Sequence, residues 1–238
     1  GVAHRLAHFF PALVHDHLNV AVWIYAIAVI AAGAISLTLK RTVLGLTPRA
    51  AIFLLLSLAL GPGLTVNTIF KDHWGRARPT QITQFGGTQK FTPAFVPSDQ
   101  CRRNCSFPAG DPAMGFYLVS AAFLAGGVAA RRNRIIGAVA VGTALGVVRL
   151  AQGGHFLSDV VASGFIVAAI AWGLHWLILC SDTLERWGQA LRHPSPGLKR
   201  FAWLTLGCAL GFFIAYRWID IPLAHALQNI DPVTRAIF

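Results

Sequence analysis

Charge is what this chain is short of. Only 12% of its 238 residues are Asp, Glu, Lys or Arg, where a soluble domain carries about 25%, while 55% are hydrophobic and the mean hydropathy is +0.58. That excludes a soluble globular fold and leaves an integral membrane protein. Acidic residues are scarcest, nine against twenty Lys plus Arg, and no paired-Asp box stands in the loops. The chain therefore offers no carboxylate cage for a divalent cation, and metal-independent chemistry is expected. Of its four cysteines, Cys180 and Cys208 fall at or within apolar segments and read as packing residues. Cys101 and Cys105 have no histidine beside them and fall short of the four ligands of a structural zinc site. They are either a disulfide, which an extracytoplasmic compartment permits, or two free thiols. Internal repeats and low-complexity tracts are absent as well.

What is present is long apolar runs, at 20–38, 50–70, 112–130, 134–151, 157–179 and 201–219. Each is near the ~20 residues that a helix needs to cross the hydrocarbon core. The runs are continuous rather than alternating, which favours helices over barrel strands. The expectation is an all-α polytopic membrane protein of six spans, forming a single membrane domain over 1–238. Within it, 20–179 is the core with an outer loop at 71–111, and 201–219 is the sixth span. The first run is too long, and preceded by too much polar sequence, for a cleaved signal peptide, so it is expected to remain as a helix. Residues 1–19, with His4, His8, His15 and His17 among apolar side chains, read as an interfacial helix. Metal binding by His4 and His8 at i, i+4 is the lesser alternative. The 220–238 tail, with Ile221, Leu223, Ala224 and Leu227 on one side, reads as a second interfacial piece.

The basic residues set an orientation. Lys40, Arg41 and Arg49 lie in one loop, Arg131, Arg132 and Arg134 in a short turn at 131–134, and Arg186, Arg192, Lys199 and Arg200 in the 180–200 loop. Six spans place all three on one side, which the positive-inside rule makes cytoplasmic. The termini, the 71–111 loop and the 151–156 turn then face out. This bias accounts for half of the basic residues, so the net charge of +11 does not call for nucleic acid.

Two clusters carry chemistry. Lys71, Arg76 and Arg78 put three cations in eight positions directly after an apolar run and on the outer side, which points to an anionic ligand rather than a juxtamembrane anchor. Arg supplies a planar fork for phosphate oxygens and Lys a compact charge. Downstream, Arg149 is followed by His155 and Asp159, four residues apart at an expected helix start. On a shared face the carboxylate can hydrogen-bond one ring nitrogen and leave the other free to attack. Lys90, Arg102 and Arg103 add cations in the outer loop that suit a headgroup with more than one phosphate.

These spacings resemble the type 2 phosphatidic acid phosphatase superfamily, which includes bacterial acid phosphatases and vanadium haloperoxidases. Its first motif is met by Lys71, Arg78 and Pro79, and its third by Arg149, His155 and Asp159, with Val148 in place of a serine. The second motif, Pro-Ser-Gly-His, reads Pro108-Ala109-Gly110-Asp111 here. The resemblance implies a helical-bundle core and no cofactor or metal. His155 would be the nucleophile, oriented by Asp159, with Lys71, Arg78, Arg149 and Gly110 on the phosphate. Ala109 lacks the hydroxyl, and Asp111 stands where the family has its acid. Asp111 can be an acid if its carboxyl is held protonated; otherwise His73 or no acid serves, or catalysis is lost.

The implied function is a membrane lipid phosphatase in the bacterial inner membrane, facing the periplasm and acting on a phosphorylated membrane lipid. Candidate substrates are lipid A, a polyprenyl diphosphate or phosphatidylglycerol phosphate. Asn104-Cys105-Ser106-Phe107 also looks like the segment found in bacterial lipid A phosphatases. A lipid phosphotransferase and an inactive lipid-binding or transport protein are the rivals. In the membrane branch three spans precede the first motif and one follows the third, whereas here two precede and two follow. A circularly permuted helix order is therefore an expectation, to be supported by packing of 201–219 beside 20–38.

Overall fold

A computed structural model describes residues 2–180 and 196–229. Among them the protein is all-helical, with two isolated bridges, Val43 with Leu46 and Ile82 with Gln89, and no strand. Seven α-helices longer than a single turn follow in order: α1 (Val2–Leu39), α2 (Pro48–Leu58), α3 (Gly110–Phe116), α4 (Val128–Ala151), α5 (Leu157–Leu174), α6 (Pro196–Ile214) and α7 (Asp220–Asn229). Four helical stretches among the described residues are long and apolar enough to span a bilayer: Asp16–Leu39, Pro48–His73, Val128–Ala151 and Leu157–Leu179.

The differences from the sequence reading have local causes. No helix breaker stands near residue 19, so α1 runs unbroken from Val2 to Leu39 and there is no separate interfacial helix. The side chains of His4, His8 and His15 lie outside the described residues. The apolar run 112–130 is a seven-residue α3 that tightens into a 3₁₀ segment, Tyr117–Leu124, and stops before Gly126-Gly127. Arg131, Arg132 and Arg134 stand in the opening turns of α4 rather than in a connecting turn, and Arg134 Nη1 donates to the Ala121 carbonyl at 2.8 Å. Arg186 and Arg192 lie outside the described residues. α6 exposes Trp203, Leu204, Leu206, Leu210 and Phe213, as well as Cys208, which is not a packing residue. It packs on α5, where the sequence reading looked for packing against the first span.

The stretch that ends at the site is shaped by one proline. Thr47 caps α2 by accepting the Ala50 N–H at 3.2 Å, with Pro48 at the first helical position. Pro62 then removes an N–H, and the helix widens to a π-helix over Ala59–Phe70. Asn67 Nδ2 donates to the Pro62 carbonyl at 2.8 Å and Thr68 Oγ1 to the Gly63 carbonyl at 3.2 Å, so the loosened carbonyls are satisfied. The run closes on the turn Lys71–His73.

Small residues bring the inner helices together, as membrane bundles require when the surrounding lipid is as apolar as the core. α3 and α4 touch backbone to backbone: a Cβ at Gly115 would lie 2.8 Å from Gly142 Cα, and one at Gly142 would lie 2.4 Å from the Phe116 ring. The buried Tyr117 packs with Val66, Ala113 and Val167, and its hydroxyl donates to the Leu54 carbonyl at 3.1 Å. The bundle thereby sets the ends of the 48–73 run, α4 and α5 and the start of α3 around one point.

Candidate active site

Three segments meet above the bundle: 71–78, 104–111 and 149–159. The middle one threads between the others as a strap. Cys105 N–H donates to the Lys71 carbonyl and Ser106 N–H to the Arg76 carbonyl, both at 2.9 Å, while Ala109 N–H donates to the Asp159 carbonyl at 3.1 Å. Trp74 and Phe70 pack on Phe107 beneath it, and Trp74 Nε1 donates to the Ala94 carbonyl at 2.5 Å. Cys101 and Cys105 are joined in a disulfide at the head of the strap.

His155 is 1% exposed and sits before α5 rather than on it. Its Nδ1 lies 2.6 Å from the Ser106 carbonyl oxygen and 3.7 Å from Asp159 Oδ2. The carbonyl can only accept, so Nδ1 carries the proton and Nε2 keeps its lone pair. This corrects the expected His155–Asp159 hydrogen bond: the tautomer is set by the strap, and Asp159 acts as a nearby charge. Asp159 Oδ2 instead accepts the Ser106 hydroxyl at 2.6 Å and the Phe156 N–H at 2.8 Å, which satisfies an orphan donor at the start of α5. Burial pushes the His155 imidazole below its ordinary pKa; Asp159 opposes this, and Arg78 and Lys71 add to it. That favours the neutral ring, the form that can use its free lone pair.

Arg76 overturns part of the sequence reading. It is fully buried and faces inward rather than toward a ligand. Nη1 donates to Asp159 Oδ1 at 2.5 Å and to Ser158 Oγ at 2.9 Å, Nη2 to Asp220 Oδ2 at 2.9 Å, and Nε to the Thr92 carbonyl at 2.8 Å. Its guanidinium lies 4.2 Å from the centre of the Phe156 ring. Asp220, missed from the sequence, is 2% exposed and opens α7. That segment is not an interfacial tail: Ala224 and Ile221 pack with Ala77, Ile82 and Phe156, and Leu223 packs beside Ala109, Leu150 and Val160. Residues 230–238 lie outside the described residues.

The remaining cations form an outer group. Arg78 Nη2 donates to the Asn104 carbonyl at 3.0 Å and to Asn104 Oδ1 at 3.1 Å. Arg149 Nε lies 3.2 Å from Asp111 Oδ2, and its Nη1 donates to Gln152 at 2.9 Å. Lys71, Arg78, Arg149 and Asp111 are close enough to feel one another's charge. Burial, then Arg149, pulls Arg78 below the ordinary guanidinium range. A Cβ at Gly110 would fall 2.7 Å from Lys71 Nζ and 2.6 Å from Asn67 Oδ1, so only glycine lets the ammonium reach the start of α3. Three cations around one carboxylate make a site that wants an anion.

The other expected residues stand apart. His73 is exposed, with Nδ1 2.9 Å from the Ile69 carbonyl of its own helix. Lys90, Arg102 and Arg103 are exposed on the outer segment; Arg103 Nε lies 3.8 Å from Asp72 Oδ2, and Asp72 Oδ1 also accepts the Asn104 N–H. Arg102 and Arg103 line an open cavity of about 560 Å³ with Gln81, Thr88, Gln89 and Gln100. Among the described residues no group of His, Cys, Asp and Glu is placed to hold a metal ion.

The family model described as PAP2 superfamily matches residues 50–182. A protein named Lipid A 4′-phosphatase from Francisella tularensis subsp. novicida (strain U112) is 46% identical over 133 residues, covering 55% of this chain and 59% of that protein. Proteins of the same name from Rhizobium leguminosarum and Rhizobium etli are 37% and 38% identical over 106 and 104 residues, each covering 44% of this chain and 45% and 40% of the relative. The chain thus spans about half the length of the curated relatives it matches. No solved structure matches it.

Proposed function

The chain belongs to the PAP2 superfamily, and from that premise we propose that it is a membrane phosphatase acting on a phosphorylated glycolipid, with lipid A as the first candidate. The observation that carries the proposal is the pairing of a neutral, proton-oriented His155 with three cations around the face it can attack. Nε2 attacks phosphorus, the ester P–O bond breaks, and a phosphohistidine forms with Nδ1 still protonated. Lys71, Arg78 and Arg149 hold the equatorial oxygens as charge redistributes. Water then attacks phosphorus, and the N–P bond breaks to release phosphate. Asp111, ion-paired with Arg149, is an anion and a better base than acid. It suits the second step by taking a proton from the attacking water, while solvent protonates the departing alkoxide in the first.

We further propose six spans, with the 110–124 helical segment and α6 as the additional two, in a rearranged order in which α6 and α7 complete the core from the far end of the chain. The support is that α7 packs its apolar side on the site instead of lying free. Lys40, Arg41, Arg131, Arg132 and Arg134 gather at the opposite end of the bundle from His155, which supports a periplasm-facing site in a bacterial inner membrane. Single cysteines introduced at Lys90 and Arg132 should label from opposite sides of intact spheroplasts; labelling from one side would overturn the orientation.

The activity test is phosphate release in detergent from lipid A, undecaprenyl diphosphate and phosphatidylglycerol phosphate, run beside His155→Ala. Release from lipid A that the variant lowers by roughly 10⁴-fold or more supports the reading. Equal release by the variant, or none from any of the three by the parent, overturns it. Appearance of the phosphate on a second lipid would make the protein a transferase.

A further inference from the structure

We infer that Asp220 is a positioning residue of the catalytic centre, supplying through Arg76 the net negative charge that Asp159 alone cannot offer to His155. This rests on the reading of His155 as nucleophile and goes beyond it, because Asp220 lies outside the 50–182 family match. The geometry is a closed relay. His155 is held by the Ser106 carbonyl, the Ser106 hydroxyl is held by Asp159, and Asp159 shares Arg76 with Asp220. Ser158 ties the ends together: its N–H donates to Asp220 Oδ1 at 3.0 Å, and its hydroxyl accepts from Arg76 Nη1 and donates to Asp220 Oδ2.

Charge gives this arrangement its consequence. Phosphorylation of Nε2 with Nδ1 protonated turns a neutral imidazole into a cation. An Arg76–Asp159 pair alone is neutral and would stabilise that cation little. Two carboxylates sharing one guanidinium carry a formal −1, buried and therefore weakly screened. The other charges facing His155 are positive: Lys71 at the end of the 48–73 run and Arg78 in the outer segment. Arg149 of α4 stands beyond them and is ion-paired with Asp111 of α3. Without Asp220 nothing offsets this surplus, and Arg76 falls wholly upon Asp159.

The test is Asp220→Asn, which keeps the side-chain shape and removes the charge. With lipid A in detergent, kcat should fall about 10–100-fold while KM changes less than about threefold, since the phosphate-holding cations are untouched. The His155 titration, read by NMR of ¹³C-labelled histidine and assigned by difference with His155→Ala, should move to lower pH. A protein that was merely loosened would move the other way, toward an exposed histidine. The double variant Arg76→Gln/Asp220→Asn restores the formal −1 and should bring the titration back toward wild type. An unchanged or raised titration in Asp220→Asn overturns the inference even if no lipid is turned over, which separates its failure from that of the proposed activity. If Asp220→Asn does not fold alone, the same charge is removed in the Arg76→Gln background, where a His155 titration in Arg76→Gln/Asp220→Asn no lower than in Arg76→Gln overturns the inference.

Discussion

The segment 71–78 sends its cations to two different places, and the contrast between them explains the site. Arg76 goes inward, is wholly buried, and has oxygen acceptors on Nε, Nη1 and Nη2. Lys71 and Arg78 go outward with Arg149, where three like charges share one carboxylate. The inner group is dry and paired, and it surrounds His155. The outer group is under-neutralised, and its natural complement is an anion. A residue's charge thus says little about its role until its partners are counted.

The largest effect should separate the two regions by stability. Arg76→Ala leaves Asp159 and Asp220 buried without a counterion, which costs about 3–5 kcal/mol. Against a total stability of about 5–15 kcal/mol, much of the fold is at risk. Thermal unfolding in detergent should show a drop of many degrees and a poor yield of monodisperse protein. Arg78→Met should leave the melting temperature within about 2 °C and instead lower kcat/KM by roughly 10²–10³-fold. Equal melting temperatures for the two variants would dissolve the distinction.

The same contrast has a sign in pH. The folded His155 pKa lies below its ordinary value, so activity should persist as pH falls through ~6.5 and be lost only at lower pH, as the ring takes up a proton. Arg78 helps to lower that pKa, so Arg78→Met should move the acidic limb of kcat/KM to higher pH. Removing the inner carboxylate of Asp220 moves it the opposite way. Acidic limbs displaced in the same direction would show that the two regions do not oppose each other at His155.

How much of this was legible in the sequence follows from the same distinction. Lys71, Arg78, Arg149 and His155 were singled out because a phosphate site would need cations and a nucleophile at fixed spacings, and the fold brings them within range of one another's charge. Arg76 was counted with them because charge and spacing look alike whether a cation faces solvent or a buried carboxylate. Its partner Asp220 lies 144 residues away, beyond any local pattern. One signal was available: an acid ending a long apolar run, in a chain with only nine acids, is itself improbable unless paired. The hold on His155 left no trace because its acceptor is a backbone carbonyl. Four of the six expected spans were legible by hydropathy, but the 3₁₀ tightening after Phe116 was not, since an apolar run reads the same in either helix.

The smallest expected effect concerns Asp111, the carboxylate of the outer group, and it decides between two chemistries. If Asp111 were the acid of the first step, Asp111→Asn would slow formation of the phosphohistidine, and none would accumulate. Its ion pair with Arg149 argues for the carboxylate form, and hence for a base in the second step. Asp111→Asn should then lower kcat by about 10–100-fold, at or below the usual range for a general base, because Arg149 loses its counterion and holds phosphate more tightly. Rapid quench in alkaline detergent with ³²P-labelled lipid should trap a base-stable, acid-labile phosphoprotein in the variant at a level well above wild type. Slow turnover without that accumulation would return Asp111 to the role of acid, and the ion pair would then have to break when substrate enters.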